Sequence, residues 1–344
     1  MIPFTTEHAL FRLESLGFSF EDECIKKAVE HIESLLLSKT LPEGNEKSVD
    51  FPIFVELIAA TWIRRFTNSN LSANTVAEKW ARIISKAFNK QVYSHEDYLN
   101  CFENEFQTKP RSGRLVDFVS FYQLSLLADM LDEKTENRML DHVLSHPDGI
   151  YYVYENNLFA PPNFQSKDAS RYIGVAELIL RYRCGKDKIK HIFDWLWQNQ
   201  DSDGMWDMGS AAKDGVFFPL SDRWNLENRV SDCTFRIRKI LADRCYCGHD
   251  CSRCITFVAT KHDDNSMRQM SQEFYRSAFG MDISMNKFNC YGGRTENKFE
   301  LCHECPFTKC CKQQGIDFCA DCAKYPCEKI ALYESKHVNK SNQM

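Results

Sequence analysis

Sixteen cysteines punctuate this 344-residue chain, and twelve of them fall between Cys245 and Cys327. They arrive in groups: Cys245, Cys247, Cys251 and Cys254; then Cys290 alone; then Cys302, Cys305, Cys310 and Cys311; then Cys319, Cys322 and Cys327. CHECPFTKC (302–310) and CADCAKYPC (319–327) are the same unit, C-x2-C-x4-C, repeated seventeen residues apart. Two thiolates two residues apart can grip one tetrahedral ion, because the intervening turn lets both sulfurs converge. A region this poor in long apolar runs needs such staples, and one structural zinc contributes on the order of 10 kcal/mol or more to folding. Metal binding is therefore the first chemistry these residues suggest. The expected ligands are Cys247, Cys251, Cys254, Cys290, Cys302, Cys305, Cys310, Cys319, Cys322 and Cys327. At four sulfurs per ion they would hold about two or three zinc ions.

Other thiol chemistries compete. Disulfides belong to oxidising compartments, and the start MIPFTTEHALFRL lacks the basic stretch and apolar run of a secretory signal. A redox Cys-x-x-Cys pair would normally follow a strand, open a helix and have few cysteines nearby. An iron–sulfur cluster is the stronger rival. Cys247, Cys251 and Cys254 spell C-x3-C-x2-C, the spacing of radical S-adenosylmethionine enzymes. Such an enzyme needs a β/α barrel after the motif, and the remaining residues show no strand–helix alternation. A simple cluster without that chemistry stays open as the alternative to zinc.

The elements around these cysteines read as helices. Ile25, Ala28, Val29, Ile32, Leu35 and Leu36 share one helical face, and Ser19 with Asp22 resembles a capping box before them. Periodic stretches follow at about 54–65, 75–88, 117–131, 136–144, 170–183, 187–198 and 227–242, with a polar loop at 40–50. In the cysteine region, Met267, Met270, Phe274 and Ala278 mark one more amphipathic helix, expected to supply a small core. HVLSHPDGIYYVY (142–154) can be laid on WLWQNQDSDGMWDM (195–208) at an offset of 55 residues, aligning Asp148-Gly149 with Asp203-Gly204. A period of that size suits a helix pair closed by an Asp-Gly turn, where glycine supplies the positive φ.

Hydrophobic residues make up 43% of the chain and charged residues 26%, the balance of an ordinary globular protein. No apolar run approaches the roughly 20 residues of a membrane span, so no membrane partner and a cytoplasmic location are expected. Net charge is −5. From 245 to 344, 13 Lys and Arg face 12 acids, and thiolates add negative charge, so nucleic acid is an unlikely partner. Trp195, Trp197, Trp206, Trp224, Tyr151, Tyr152 and Tyr154 either line a pocket or fill turns and helix seams, and the seams are favoured. Glu177 is expected to form surface pairs with Arg171 or Arg181. Arg223, Arg229, Asp232, Arg236 and Arg238 read as a solvated or domain-facing charge face, with an anion site as the sharper alternative. His142, His146 and His191 stay unassigned.

Two resemblances add to this. Gln200, Asp203, Gly204 and Trp206 resemble the Gln-x-x-Asp-Gly-x-Trp repeat of α/α-toroid proteins such as terpene cyclases and prenyltransferase β subunits, over about 10–243. The likeness implies an architecture and no active site. The cyclases' Asp-x-Asp-Asp motif is absent, and Ser231-Asp232-Cys233-Thr234 has the wrong spacing for the prenyltransferases' zinc. Residues 245–332 resemble the cysteine-rich domain-of-unknown-function family 3795, whose pattern falls on Cys247-Gly248, Cys251, Cys254; Cys290-Tyr291-Gly292; Cys302, Cys305, Cys310; and Cys319, Cys322, Tyr325-Pro326-Cys327. That resemblance implies a metal-binding module. One departure matters: Gly293 stands where the pattern has its second central cysteine, and Cys245, Cys311, His249 or His303 could complete the site.

The expected chain is thus mainly α: an α/α-toroid-like helical domain at 1–243, then a small Cys-rich metal-binding domain at 244–344 with a disordered tail after about 335. A zinc-binding accessory or binding protein, with a helical surface for a peptide or protein partner, is the leading function. The alternatives are an enzyme acting on a hydrophobic or peptidic substrate in the toroid pocket, or an iron–sulfur redox protein.

Overall fold

A computed structural model describes residues 5–38, 50–111, 113–241, 245–246, 251, 254–303, 305–316, 319, 322–325, 327–329 and 332. Cys247, His249, the polar loop from 40 to 49 and the tail after 335 lie outside the described residues. The chain divides into two compact units, Met1–Ile240 and Leu241–Met344. Both are helical, and among the described residues the only extended pairings are isolated bridges at Ser120–Tyr151 and Ile150–Tyr154.

The first unit runs α1 (Thr6–Ser15), α2 (Glu23–Ser38), α3 (Phe51–Phe66), α4 (Leu71–Ala87), α5 (His95–Phe106), α6 (Gly113–Val116), α7 (Phe121–Leu126), α8 (Glu133–Leu144), α9 (Lys167–Ile179), α10 (Gly185–Lys188), α11 (Lys190–Gln198) and α12 (Leu226–Leu241). Short polar side chains start these helices by accepting otherwise orphan N–H groups. Asn70 does so for α4, Ser94 for α5, Asp132 for α8 and Ser166 for α9. Ahead of α2, the Ser19 N–H donates to Asp22 Oδ2 at 2.8 Å, one arm of the expected capping box. Helix α3 packs against α2, α4 and α7, and its Leu57, Ala60 and Ile63 are fully buried.

The stretch 117–131 does not form the single helix its apolar content predicts. Asp117 Oδ1 accepts the Val119 N–H at 2.9 Å, Ser120 bridges to Tyr151, and only Phe121–Leu126 is helical. Its apolar residues are buried on every side, so their pattern carries no helical face.

Both Asp-Gly turns are present. Gly149 has φ +70° and Gly204 φ +73°, the left-handed region where glycine avoids the cost of a Cβ. At Gly149 a Cβ would also lie 2.3 Å from the Tyr154 carbonyl oxygen, so only glycine fits. After the second turn, Trp206 folds back onto the preceding helix and donates Nε1–H to the Leu196 carbonyl at 2.7 Å. Several aromatic residues fill seams: Trp195 sits between Phe164 and Tyr172, 5.2 Å from each, and Tyr154 packs edge-on against Tyr172 at 5.0 Å, whereas Tyr152 is exposed.

The second unit contains α13 (Ile255–Lys261), α14 (Asn265–Phe279), α15 (Glu300–His303) and α16 (Pro306–Gln314). Asp264 caps α14 by accepting from Ser266 and Met267 N–H, and Gly280 at φ +67° ends it. The buried face of α14 differs from the expected one. Met270 and Phe274 are exposed, whereas Arg268 and Ser271 are buried. One residue along a helix is a rotation of about 100°, and here polar contacts set the angle. Ser271 Oγ meets Thr256 Oγ1 of α13 at 2.6 Å, and the Arg268 guanidinium binds Asp263, Asn265 and Asn289. Tyr275 on that face packs on Phe288 and Phe299, the centre of a small aromatic core.

Candidate metal centre

The described cysteines of the second unit gather in two neighbourhoods. In the first, the Cys254 N–H donates to the Cys251 carbonyl at 2.9 Å. This tight turn leads into α13, with Cys254 in extended conformation just before its first residue. The facing turn carries Cys290 and Gly293. It is anchored by the Cys290 N–H to Thr260 Oγ1 at 2.8 Å and approaches Cys251 through the Gly293 N–H, which donates to Cys251 Sγ at 3.3 Å. The Sγ atoms of Cys245 and Cys251 lie 3.1 Å apart. Cys251 and Cys290 are both buried.

Electrostatics ties this group together. Burial raises the Cys290 thiol above its ordinary pKa, backbone N–H groups of Gly292 and Phe299 oppose the rise, and the Cys254 and Cys251 sulfurs add to it. Amide donors aimed at sulfur stabilise thiolate, the form that binds metal. Neighbouring thiolates repel each other, so each proton lost makes the next harder to remove, and a divalent ion would relieve that repulsion.

The second neighbourhood joins the duplicated units. Cys305 precedes α16 with Pro306 at the helix start, and Cys310 and Cys311 lie on that helix. Cys311 and Cys319 are buried together against Phe307, with Tyr246, Cys305, Ile316 and Cys327 packed around them. The Cys319 N–H donates to the Tyr246 carbonyl at 2.8 Å, and the Cys322 N–H to the Cys319 carbonyl at 3.2 Å. Burial is the first cause raising the Cys319 thiol to about 11, followed by Cys311, Cys327 and Cys310. Cys311 is raised by burial, then by Cys310. Tyr246 links this neighbourhood to Cys245 through one peptide bond, and the Arg294 guanidinium lies 4.5 Å from its ring centroid.

Cys302, at α15, packs instead on the Phe288–Cys290–Phe299 core. His303 is exposed and borders a wide polar depression of about 870 Å³ with Asp263, Asn265 and Asn289. Among the described residues no three Cys, His, Asp or Glu side chains are already set to hold an ion. The sulfurs would have to shift to bind one. In a tetrahedron with Zn–S bonds of about 2.3 Å, neighbouring sulfurs stand about 3.8 Å apart, so the Cys245–Cys251 pair at 3.1 Å would open slightly. An all-sulfur donor set of this kind suits zinc or an iron–sulfur cluster and is poor for hard cations such as Ca²⁺ or Mg²⁺.

The contacts that spacing alone could not reveal are those of Thr260, Tyr246 and the Gly293 amide. Only the replacement of a patterned cysteine by Gly293 hinted that this turn is unusual.

The charged residues of the helical unit take internal duties. Arg236 is 1% exposed. Its Nε and Nη2 donate to the two Glu177 carboxylate oxygens at 2.7 and 2.8 Å, and its Cζ lies 4.7 and 4.9 Å from the Phe217 and Phe218 ring centroids. Glu177 therefore pairs across the fold and not along its own helix. Arg229 forks onto Asp207, and Asp232 Oδ2 accepts the Leu220 and Ser221 N–H groups at 2.9 Å each. Arg229, Asp232 and Arg236 are thus structural clamps and not part of a solvated face, whereas Arg223 and Arg238 are exposed, as that reading expects. His146 accepts the Asp148 N–H at 3.3 Å through Nδ1, so its proton sits on Nε2, which donates to Asp117 Oδ2 at 2.9 Å. With both ring nitrogens engaged, it is held in place and has no lone pair to offer as a base.

With the geometry in place, comparison with known proteins bears on this unit alone. Residues 243–332 match the family model described as "Protein of unknown function (DUF3795)". No curated protein and no solved structure matches the chain. Among the described residues, no helix is long and apolar enough to cross a membrane.

Proposed function

We propose that the chain is a zinc-binding accessory or binding protein, in which a thiolate-clamped C-terminal module holds two or three zinc ions. One observation carries this: nine of the ten expected ligands are described, and all but Cys302 fall in two sulfur-rich neighbourhoods, one bearing an amide-to-sulfur hydrogen bond. The ten-cysteine register of the resemblance supports the same module. A reduced compartment such as the cytoplasm would preserve it.

The helical unit, taken here as α/α-toroid-like on the strength of its two matched Asp-Gly-x-aromatic turns, would present a surface to a peptide or protein. Its clamped arginines and engaged His146 favour binding over catalysis. Nucleic acid is disfavoured by the near-balance of charge around the thiolates.

Cobalt tests the module. Refolding the metal-free chain with Co²⁺ should give the intense visible bands of a tetrahedral ion and a sulfur-to-metal charge-transfer band, saturating at two or three equivalents. Cobalt uptake without the charge-transfer band would mean that the cysteines are not the ligands.

A further inference from the structure

The glycine at position 293 leaves a gap in the cysteine pattern, and the structure shows what fills it. A Cβ built on Gly293 would lie 2.0 Å from Cys245 Sγ, about the length of a carbon–sulfur bond. The Cys245 sulfur thus sits roughly where a cysteine at 293 would place its own. The same Cβ would lie 3.6 Å from Cys251 Sγ, so the sulfur filling the gap also faces the Cys251–Cys254 turn. The Gly293 amide, meanwhile, still donates to Cys251 Sγ at 3.3 Å. A cysteine at 293 and one at 245 cannot both occupy this place.

We propose that Cys245 supplies the ligand missing at position 293, completing with Cys251, Cys254 and Cys290 a four-sulfur site for one zinc ion. The inference rests on the zinc-thiolate function proposed above and names one of its sites. The four sulfurs come from three segments. Cys251 and Cys254 share a turn closed by a 2.9 Å hydrogen bond. Cys290 is fixed to α13 through Thr260. Cys245 enters from the start of the unit. Each Cys–S–H gives up its proton as a Zn–S bond forms, so loading the site releases up to four protons and leaves a net charge of −2, partly offset by the amide donor. Arg294, adjacent to Gly293 and stacked on Tyr246, provides a nearby positive charge.

The swap of one cysteine between the two positions is the test, read on the full-length chain by zinc content after anaerobic purification. Cys245→Ala should lose one equivalent of zinc. Adding Gly293→Cys to a Cys245→Gly chain should restore it, because glycine at 245 removes both the sulfur and the Cβ that would lie 3.2 Å from the new one. Tryptophan emission of the helical unit shows that each variant is folded there. Full zinc content in Cys245→Ala overturns the inference and leaves the zinc module standing. Loss that Gly293→Cys fails to restore also overturns it, since Cys245 would then not be acting from the place of residue 293. Wild-type protein without zinc overturns the module itself, and this site with it.

Discussion

Chelation of the bound metal is expected to unfold residues 241–344 and leave the helical unit intact. The second unit has little else to hold it. Its apolar clusters centre on Phe288, Cys290 and Phe299 and on Phe307, Cys311 and Cys319, so each small core includes a proposed ligand, Cys290 in one and Cys319 in the other. Helices of seven to fifteen residues, such as α13 and α14, are marginal alone. A structural zinc contributes about 10–16 kcal/mol in small domains, more than the roughly 5–15 kcal/mol of a whole domain's net stability. The six tryptophans, at 62, 80, 195, 197, 206 and 224, all lie in the first unit and give it a separate signal. The expected result is rapid hydrogen exchange in α13 and α14 after chelation, with tryptophan emission unchanged. Continued protection of α13 and α14 in metal-free protein would show that the core stands without metal.

Arg236→Ala is expected to destabilise the helical unit strongly. The guanidinium is buried, forks onto Glu177, donates to the Ser170 carbonyl at 3.2 Å and lies against two phenylalanine rings. Removing one partner of a buried pair costs about 3–5 kcal/mol. Glu177 keeps 24% of its side-chain exposure, so part of its charge can return to water and the lower end, about 3 kcal/mol, is expected. For a unit of this size that lowers Tm by roughly 6–12 °C. The double variant Arg236→Met/Glu177→Met should recover much of the loss, because two apolar side chains leave no stranded charge. A thermal scan followed by tryptophan emission checks both. An Arg236→Ala shift under 2 °C would mean that the pair is solvated and contributes nothing, as first expected from its charge pattern.

That reversal shows what the sequence carries and what it withholds. The helices from α2 to α4 were legible because residues such as Ile25 and Val29 recur at helical spacing on one face, and the two Asp-Gly turns because positive φ demands glycine. Arg236 was misread because its partners lie 59 and 66 residues away, and local charge pattern says nothing about distant contacts. For α14 the pattern predicts the helix but places its buried face one residue off, because Met270 and Phe274 point outward while Arg268 and Ser271 hold the polar contacts. In the cysteine region, spacing suggests which residues are ligands. Convergence does not: the Gly293 amide meets Cys251 across 42 residues.

The most direct test of the thiolate module is the metal content and visible absorbance of the full chain purified without oxygen. Two or three zinc ions per chain in a colourless protein is the predicted result. A brown protein carrying iron and sulfide, or one carrying no metal at all, would contradict it.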